Sequence, residues 1–138
     1  MKLTETQQHT LRAAIERIIP SDDYPGAWDS GVGDYLARQF DSDLLPMLGD
    51  YRDGLTALEA ESTARFQQNF VSLTDEEQDT LLSHIEAGQV LTVWNVVPSR
   101  FFRLLVNTTA EGFYSEPEQG GNRNAVSWDM TGFEERLP

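Results

Sequence analysis

His9 and His84 are the chain's two imidazoles, and neither has a second histidine or a carboxylate at a ligand spacing such as H-E-x-x-H. A histidine metal site is therefore not expected, and His84 reads as a helix-surface or satisfied core histidine. Ser83 precedes it directly, but neighbours in a helix point in different directions, so the two cannot face each other as nucleophile and base. The absence of cysteine removes thiolate nucleophiles, disulfides and cysteine-type zinc sites. Asp22, Asp23, Asp29, Asp41 and Asp43 offer hard oxygen ligands, yet the calcium-loop pattern is missing and acids in such turns cap helices. Gly31-Val32-Gly33 resembles the start of a dinucleotide-binding fingerprint, but Leu36 stands at the third glycine position and no strand precedes the pair. With no G-x-S-x-G elbow and no P-loop, these residues assemble no active site.

The stretch EGFYSEPEQGGNRN, Glu111 to Asn124, is unlike ordinary connecting chain. Pro117 and Gly120-Gly121 cannot continue a helix, while Phe113-Tyr114 has no reason to sit in a solvated loop. The paired glycines allow positive φ, and Arg123 offers a fork of donors to carboxylates or carbonyls. Two readings follow. The stretch is a turn pinned to its own helical core by Phe113, Tyr114 and Trp128, or its aromatics and arginine form an anchor patch for a protein partner.

The elements that would position these residues are helical. Thr4-Glu5-Thr6-Gln7 has capping-box spacing, and Leu11, Ala14, Ile15, Ile18 and Ile19 follow as one apolar stripe that Pro20 ends. Asp29 or Ser30 is placed to cap a short second helix carrying Val32, Tyr35, Leu36 and Phe40. A long third helix begins near Asp43, takes Pro46 in its first turn and runs through Leu44, Met47, Leu48, Tyr51, Leu55 and Leu58 towards Phe66 and Phe70. Gly49 and Gly54 weaken it by about 1 kcal/mol each relative to alanine, which points to close packing there. Thr74 to Glu77 forms a second capping box; Leu81, Leu82 and Ile85 give the fourth helix its buried face, and Gly88 stops it. QVLTVWNVV, Gln89 to Val97, is β-branched but has no partner strand, so it reads as helix or buried connection. Pro98 opens the last long helix, with Phe101, Phe102, Leu105, Val106 and Thr109 inward and an end near Gly112. Ser115 to Pro138 has no sustained period and reads as an irregular tail. The expected fold is all-α, one domain over residues 1–138 with about five helices, a core from about 4 to 114, and the tail.

The 138 residues carry 23 acids against 10 bases, a net charge of −13, and Lys2 is the single lysine. A phosphate backbone or anionic membrane would be repelled, and no apolar run approaches the roughly 20 residues of a spanning helix. The N-terminus has neither a twin arginine nor an apolar leader, so the sequence as written reads as cytoplasmic; a removed twin-arginine leader would make the protein periplasmic.

IERIIPSDDYPGAWDSGVGDYL, YRDGLTALE, LTDEEQDTLL and FFRLLVNTTAEGFYSEPEQGGNRN, in this order along nearly the whole chain, together resemble the gluconate 2-dehydrogenase subunit 3 family. The resemblance implies a small helical, non-catalytic subunit that binds, stabilises or escorts a large flavin-dependent dehydrogenase of the glucose-methanol-choline type. The large subunit would hold FAD and act on gluconate, sugars or glycosides, and a cytochrome c subunit, where present, would take the electrons. Gly112, Phe113, Tyr114, Gly120, Gly121, Asn122, Arg123 and Trp128 are the matching positions, carried over as structural or interface residues. The chain departs from the family pattern at Gln119, Asn124 and Ser127 and in its ending Gly132-Phe133-Glu134-Glu135. The competing expectations are a stand-alone enzyme or ligand-binding domain using Arg123 and Asp22-Asp23, and a helical protein without a dehydrogenase partner.

Overall fold

The computed structural model describes residues 2–20, 26–28 and 30–114, and among these residues it contains five α-helices and no strand. The all-α expectation holds. The tail from Ser115 to Pro138, the Asp22-Asp23 turn and Asp29 lie outside the described residues.

Helix α1 (Glu5–Ile18) begins at its capping box: the Thr4 hydroxyl accepts the Gln7 amide at 3.1 Å, and the Gln7 side chain accepts the Thr4 amide at 2.9 Å. Its buried face is Thr10, Leu11, Ala14 and Ile15. Helix α2 (Val32–Gln39) is entered differently from expectation. Its N-cap is Gly31 at φ 103°, with no side-chain cap bond, so neither Asp29 nor Ser30 is the cap residue. Backbone bonds do the work instead, with Gly31 N–H donating to Trp28 and Val32 N–H to Ala27. A left-handed residue is needed to turn that tightly, and glycine adopts it without strain.

The long third helix is shorter than its apolar pattern. Pro46 lies in a 3₁₀ turn (Leu45–Met47), and helix α3 (Leu48–Phe66) follows it. Leu44 is half-buried and Met47 is 41% exposed, so neither belongs to the buried face assigned to it. Gln67, at φ 56°, closes α3, and Phe70 reaches the core from a separate 3₁₀ turn (Phe70–Ser72). The second capping box opens helix α4 (Asp75–Glu86), with Thr74 and Glu77 bonded reciprocally, and Gly88 at φ 74° ends it as expected. Helix α5 (Pro98–Tyr114) closes the described chain.

Helix α5 packs against all four other helices. Its buried residues, Phe101, Leu105, Thr108, Thr109, Gly112 and Phe113, recur at helical spacing and fill the centre of the bundle. Tyr51 of α3 lies between Phe40 and Phe101, edge-on to both, at centroid distances of 5.0 and 6.2 Å. Its hydroxyl is hydrogen-bonded to the Thr108 hydroxyl, which also donates to the Leu104 carbonyl at 2.7 Å. That pairing satisfies a buried phenol which would otherwise carry a desolvation cost. The α3–α5 crossing depends on Gly54, where a Cβ would stand 2.2 Å from Cδ1 of Phe101. Close packing is thus observed at Gly54. It is not observed at Gly49, where a Cβ would meet nothing within 4 Å.

Candidate functional site

Glu61 lies on the inward stripe of α3, three residues beyond Leu58, and its side chain is fully buried. A buried carboxylate is tolerable when its lone pairs are filled by donors. Oε1 accepts from the Leu91 amide at 2.7 Å, the Thr92 amide at 2.7 Å and the Thr92 hydroxyl at 2.6 Å, and Oε2 accepts from Arg65 Nε at 2.9 Å. Arg65 in turn donates through Nη2 to the Gln89 carbonyl at 2.5 Å. Burial alone would push the Glu61 carboxyl up; the bonds from Thr92, Arg65 and Leu91 outweigh it and bring its pKa down to about 2.

This clamp fixes the start of the connection from residue 89 to 97, which is not a helix and is a buried connection only in part, with Val90, Trp94 and Val96 half-buried against the core. It is irregular, with Leu91 67%, Val93 90% and Val97 50% exposed. Glu61 of α3 takes two consecutive amides of this segment, so those donors are spent on a carboxylate rather than a helical ladder. Trp94 turns inward, its ring tilted against Phe101 at 6.1 Å between centroids. Beyond it, Val96 and Val97 join Met47, Phe101 and Leu104 along an open groove of about 460 Å³ between the start of α3 and the first half of α5. Arg100 and Arg103 stand on this groove, as does Asp50.

A second open cleft, about 580 Å³, runs between α1 and α4 and includes His9, Arg12, Glu16, Arg17 and Asp75. Its charges are occupied with one another. Arg12 pairs with Glu16 at 3.3 Å and lies 5.6 Å over the Trp28 ring, and Arg17 pairs with Asp79 at 2.8 Å and Asp75 at 3.4 Å. The hydrogen bond from Arg17 holds the Asp79 carboxyl below its ordinary range. His84 contacts Gln89 at 3.2 Å from the C-terminal turn of α4. Among the described residues no group of three or more histidine, aspartate or glutamate side chains is placed to hold a metal ion. The two glycines of Gly31-Val32-Gly33 serve other ends: Gly31 makes the turn, and a Cβ on Gly33 would stand 2.7 Å from the Trp28 ring.

Of the motif residues singled out near the C-terminus, three are described. Gly112 lets the α5 backbone approach α2, since a Cβ there would be 2.9 Å from Cδ2 of Tyr35. Phe113 is buried, and the half-buried Tyr114 meets it edge-on at 5.2 Å between centroids. Gly120, Gly121, Asn122, Arg123 and Trp128 lie outside the described residues. Sequence reasoning missed Glu61, Arg65 and Thr92, and it missed Arg100 and Arg103. The available signal for the clamp was a glutamate on an apolar helical stripe with an arginine four residues later. Nothing local pointed to the loop it would hold.

The described fold defines a class: an acidic five-helix protein that presents an apolar connection tied down by one buried carboxylate. The chain belongs to the gluconate 2-dehydrogenase subunit 3 family, whose pattern it matches over residues 5–134, in agreement with the motifs quoted above. That family is a subunit of a dehydrogenase complex, which implies a partner. No similar curated protein and no similar solved structure was found.

Proposed function

We propose that this chain is a non-catalytic small subunit that binds, stabilises or escorts a large FAD-dependent dehydrogenase acting on sugars, polyols or glycosides. The flavin and the reacting groups reside in the large subunit, and a cytochrome c subunit, where present, accepts the electrons. The observation that carries this reading is the clamped connection from 89 to 97. Valine and leucine side chains held out in water by a rigid, buried anchor give no stability to the isolated chain, whereas their burial against a partner is favourable by roughly 25 cal/mol for each Å² covered. Holding the loop in advance also removes ordering entropy from the binding step. A large subunit that binds only the folded small subunit would in turn stabilise it.

Co-expression tests the proposal. The large subunit should be soluble, flavin-loaded and active with this chain, and aggregated or apo without it. Equal yield, flavin content and activity in its absence would end the proposal, as would oxidation of a sugar by the purified chain alone.

A further inference from the structure

The described cations are unevenly occupied. Of the ten basic residues, Arg123 and Arg136 lie outside the described residues, leaving eight. Lys2 pairs with Asp41, Arg12 with Glu16, Arg17 with Asp75 and Asp79, and Arg65 with Glu61. Arg52 donates to the Lys2 carbonyl at 2.7 Å, and Arg38 also has an interaction. Arg100 and Arg103 alone among the eight have no partner within the described residues, and both are exposed on the same groove. In a chain of net charge −13, with acids available to pair them, two unpaired guanidinium groups beside an apolar floor make a specific combination. The floor is Phe101, with Leu104, Val96, Val97 and the exposed Met47 around it, and one acid, Asp50, shares the rim.

Resting on the small-subunit reading above, we infer that this groove receives a segment of the large dehydrogenase subunit in which an aliphatic or aromatic side chain is flanked by carboxylates. The apolar side chain fills the space over Phe101, and the carboxylates take the guanidinium forks of Arg100 and Arg103. Arginine suits this role because its planar fork binds carboxylate bidentately and is weakly hydrated, so it gives up water readily at an interface. Charge also selects the occupant. A second copy of this chain carries −13 and is repelled over most of its surface, and nucleic acid is repelled more strongly, whereas an acidic segment delivered by a partner meets the groove's two cations locally.

The test uses full-length chain co-expressed with the tagged large subunit, measuring how much chain is retained at low and at high salt. Three forms are compared: wild type, R100E/R103E, and R12E/R38E, which changes net charge equally at sites away from the groove. R100Q/R103Q repeats the test with a smaller change, and thermal melts confirm that each form is folded. The expected result is wild-type retention that weakens with salt, retention of R12E/R38E, and a loss of about tenfold or more for R100E/R103E together with its salt dependence. A photo-crosslinking residue in place of Met47 should capture an acid-bearing segment of the large subunit. Equal retention of wild type and both Arg100/Arg103 variants overturns the groove assignment and leaves the small-subunit reading standing. Failure of the wild type to be retained overturns both. A crosslink to a second copy, or to residues 115–138 of the same chain, assigns the groove to that occupant and overturns the inference.

Discussion

The Glu61 carboxylate holds Thr92 twice, through its backbone amide at 2.7 Å and its hydroxyl at 2.6 Å, across 31 residues of chain. The contact joins the middle of α3 to an irregular surface connection, and Arg65 completes it by neutralising the charge and binding the Gln89 carbonyl.

Glu61→Ala strands Arg65 and two loop amides, and the expected loss is about 3 kcal/mol of folding stability, in the range for breaking a buried charged pair from one side. Glu61→Gln keeps acceptor capacity while losing the charge, and should cost less, about 1–2 kcal/mol. Urea denaturation midpoints of the two variants, ranked in that order, check the claim; a Glu61→Ala protein as stable as wild type would refute it.

Acid should loosen the same clamp. The Glu61 carboxyl is lowered from an ordinary 4.5 to about 2 in the folded chain, so between these values the unfolded state binds more protons than the folded one. Its contribution is therefore full above about pH 4.5 and is lost as pH falls towards 2. The Asp79–Arg17 bond acts in the same direction, because Asp79 is also lowered. Denaturant midpoints measured from pH 6 down to pH 3 should fall less steeply for Glu61→Gln than for wild type.

Two glycines of α3 should respond oppositely to alanine. At Gly54 the new Cβ overlaps the Phe101 ring, and the expected cost is about 1–3 kcal/mol despite alanine's better helix propensity. At Gly49 nothing stands within 4 Å, so Gly49→Ala should stabilise by up to about 1 kcal/mol. Thermal melts of the two single variants decide it.

The exposed side chains of the clamped connection should matter to assembly and not to folding. L91S/V93S is expected to keep the wild-type melting temperature, with a stability change within about 0.5 kcal/mol, because both side chains are largely in water. Its yield in complex with the large subunit should drop. An unchanged yield would remove this segment from the interface.

Local signals in the sequence located much of the fold. Both capping boxes, the Gly88 stop and the buried stripe of α4 are written within a few consecutive residues and are found where the spacing puts them; the α1 stripe is buried at Leu11, Ala14 and Ile15 and half-buried at Ile18 and Ile19. The extent of α3 was misjudged because an apolar period at Leu44, Met47 and Phe70 continues past the helix; Gln67 in the left-handed region breaks the helix while Phe70 still reaches the core. The connection from 89 to 97 was illegible for another reason. Its conformation is set by a carboxylate about thirty positions away, and a β-branched composition carries no record of that. That Arg100 and Arg103 have no partner among the described residues was likewise hidden, since pairing is a property of neighbours in space.

The position of α5 also orders events during synthesis. This segment supplies Phe101, Leu105 and Phe113 to a bundle whose other described helices all precede it, and the notch at Gly54 has no ring to receive until it arrives. A nascent polypeptide stalled at residue 97 would lack α5 and keep an unfilled centre, so commitment to the native state falls after α5 has been made and has emerged from the ribosome.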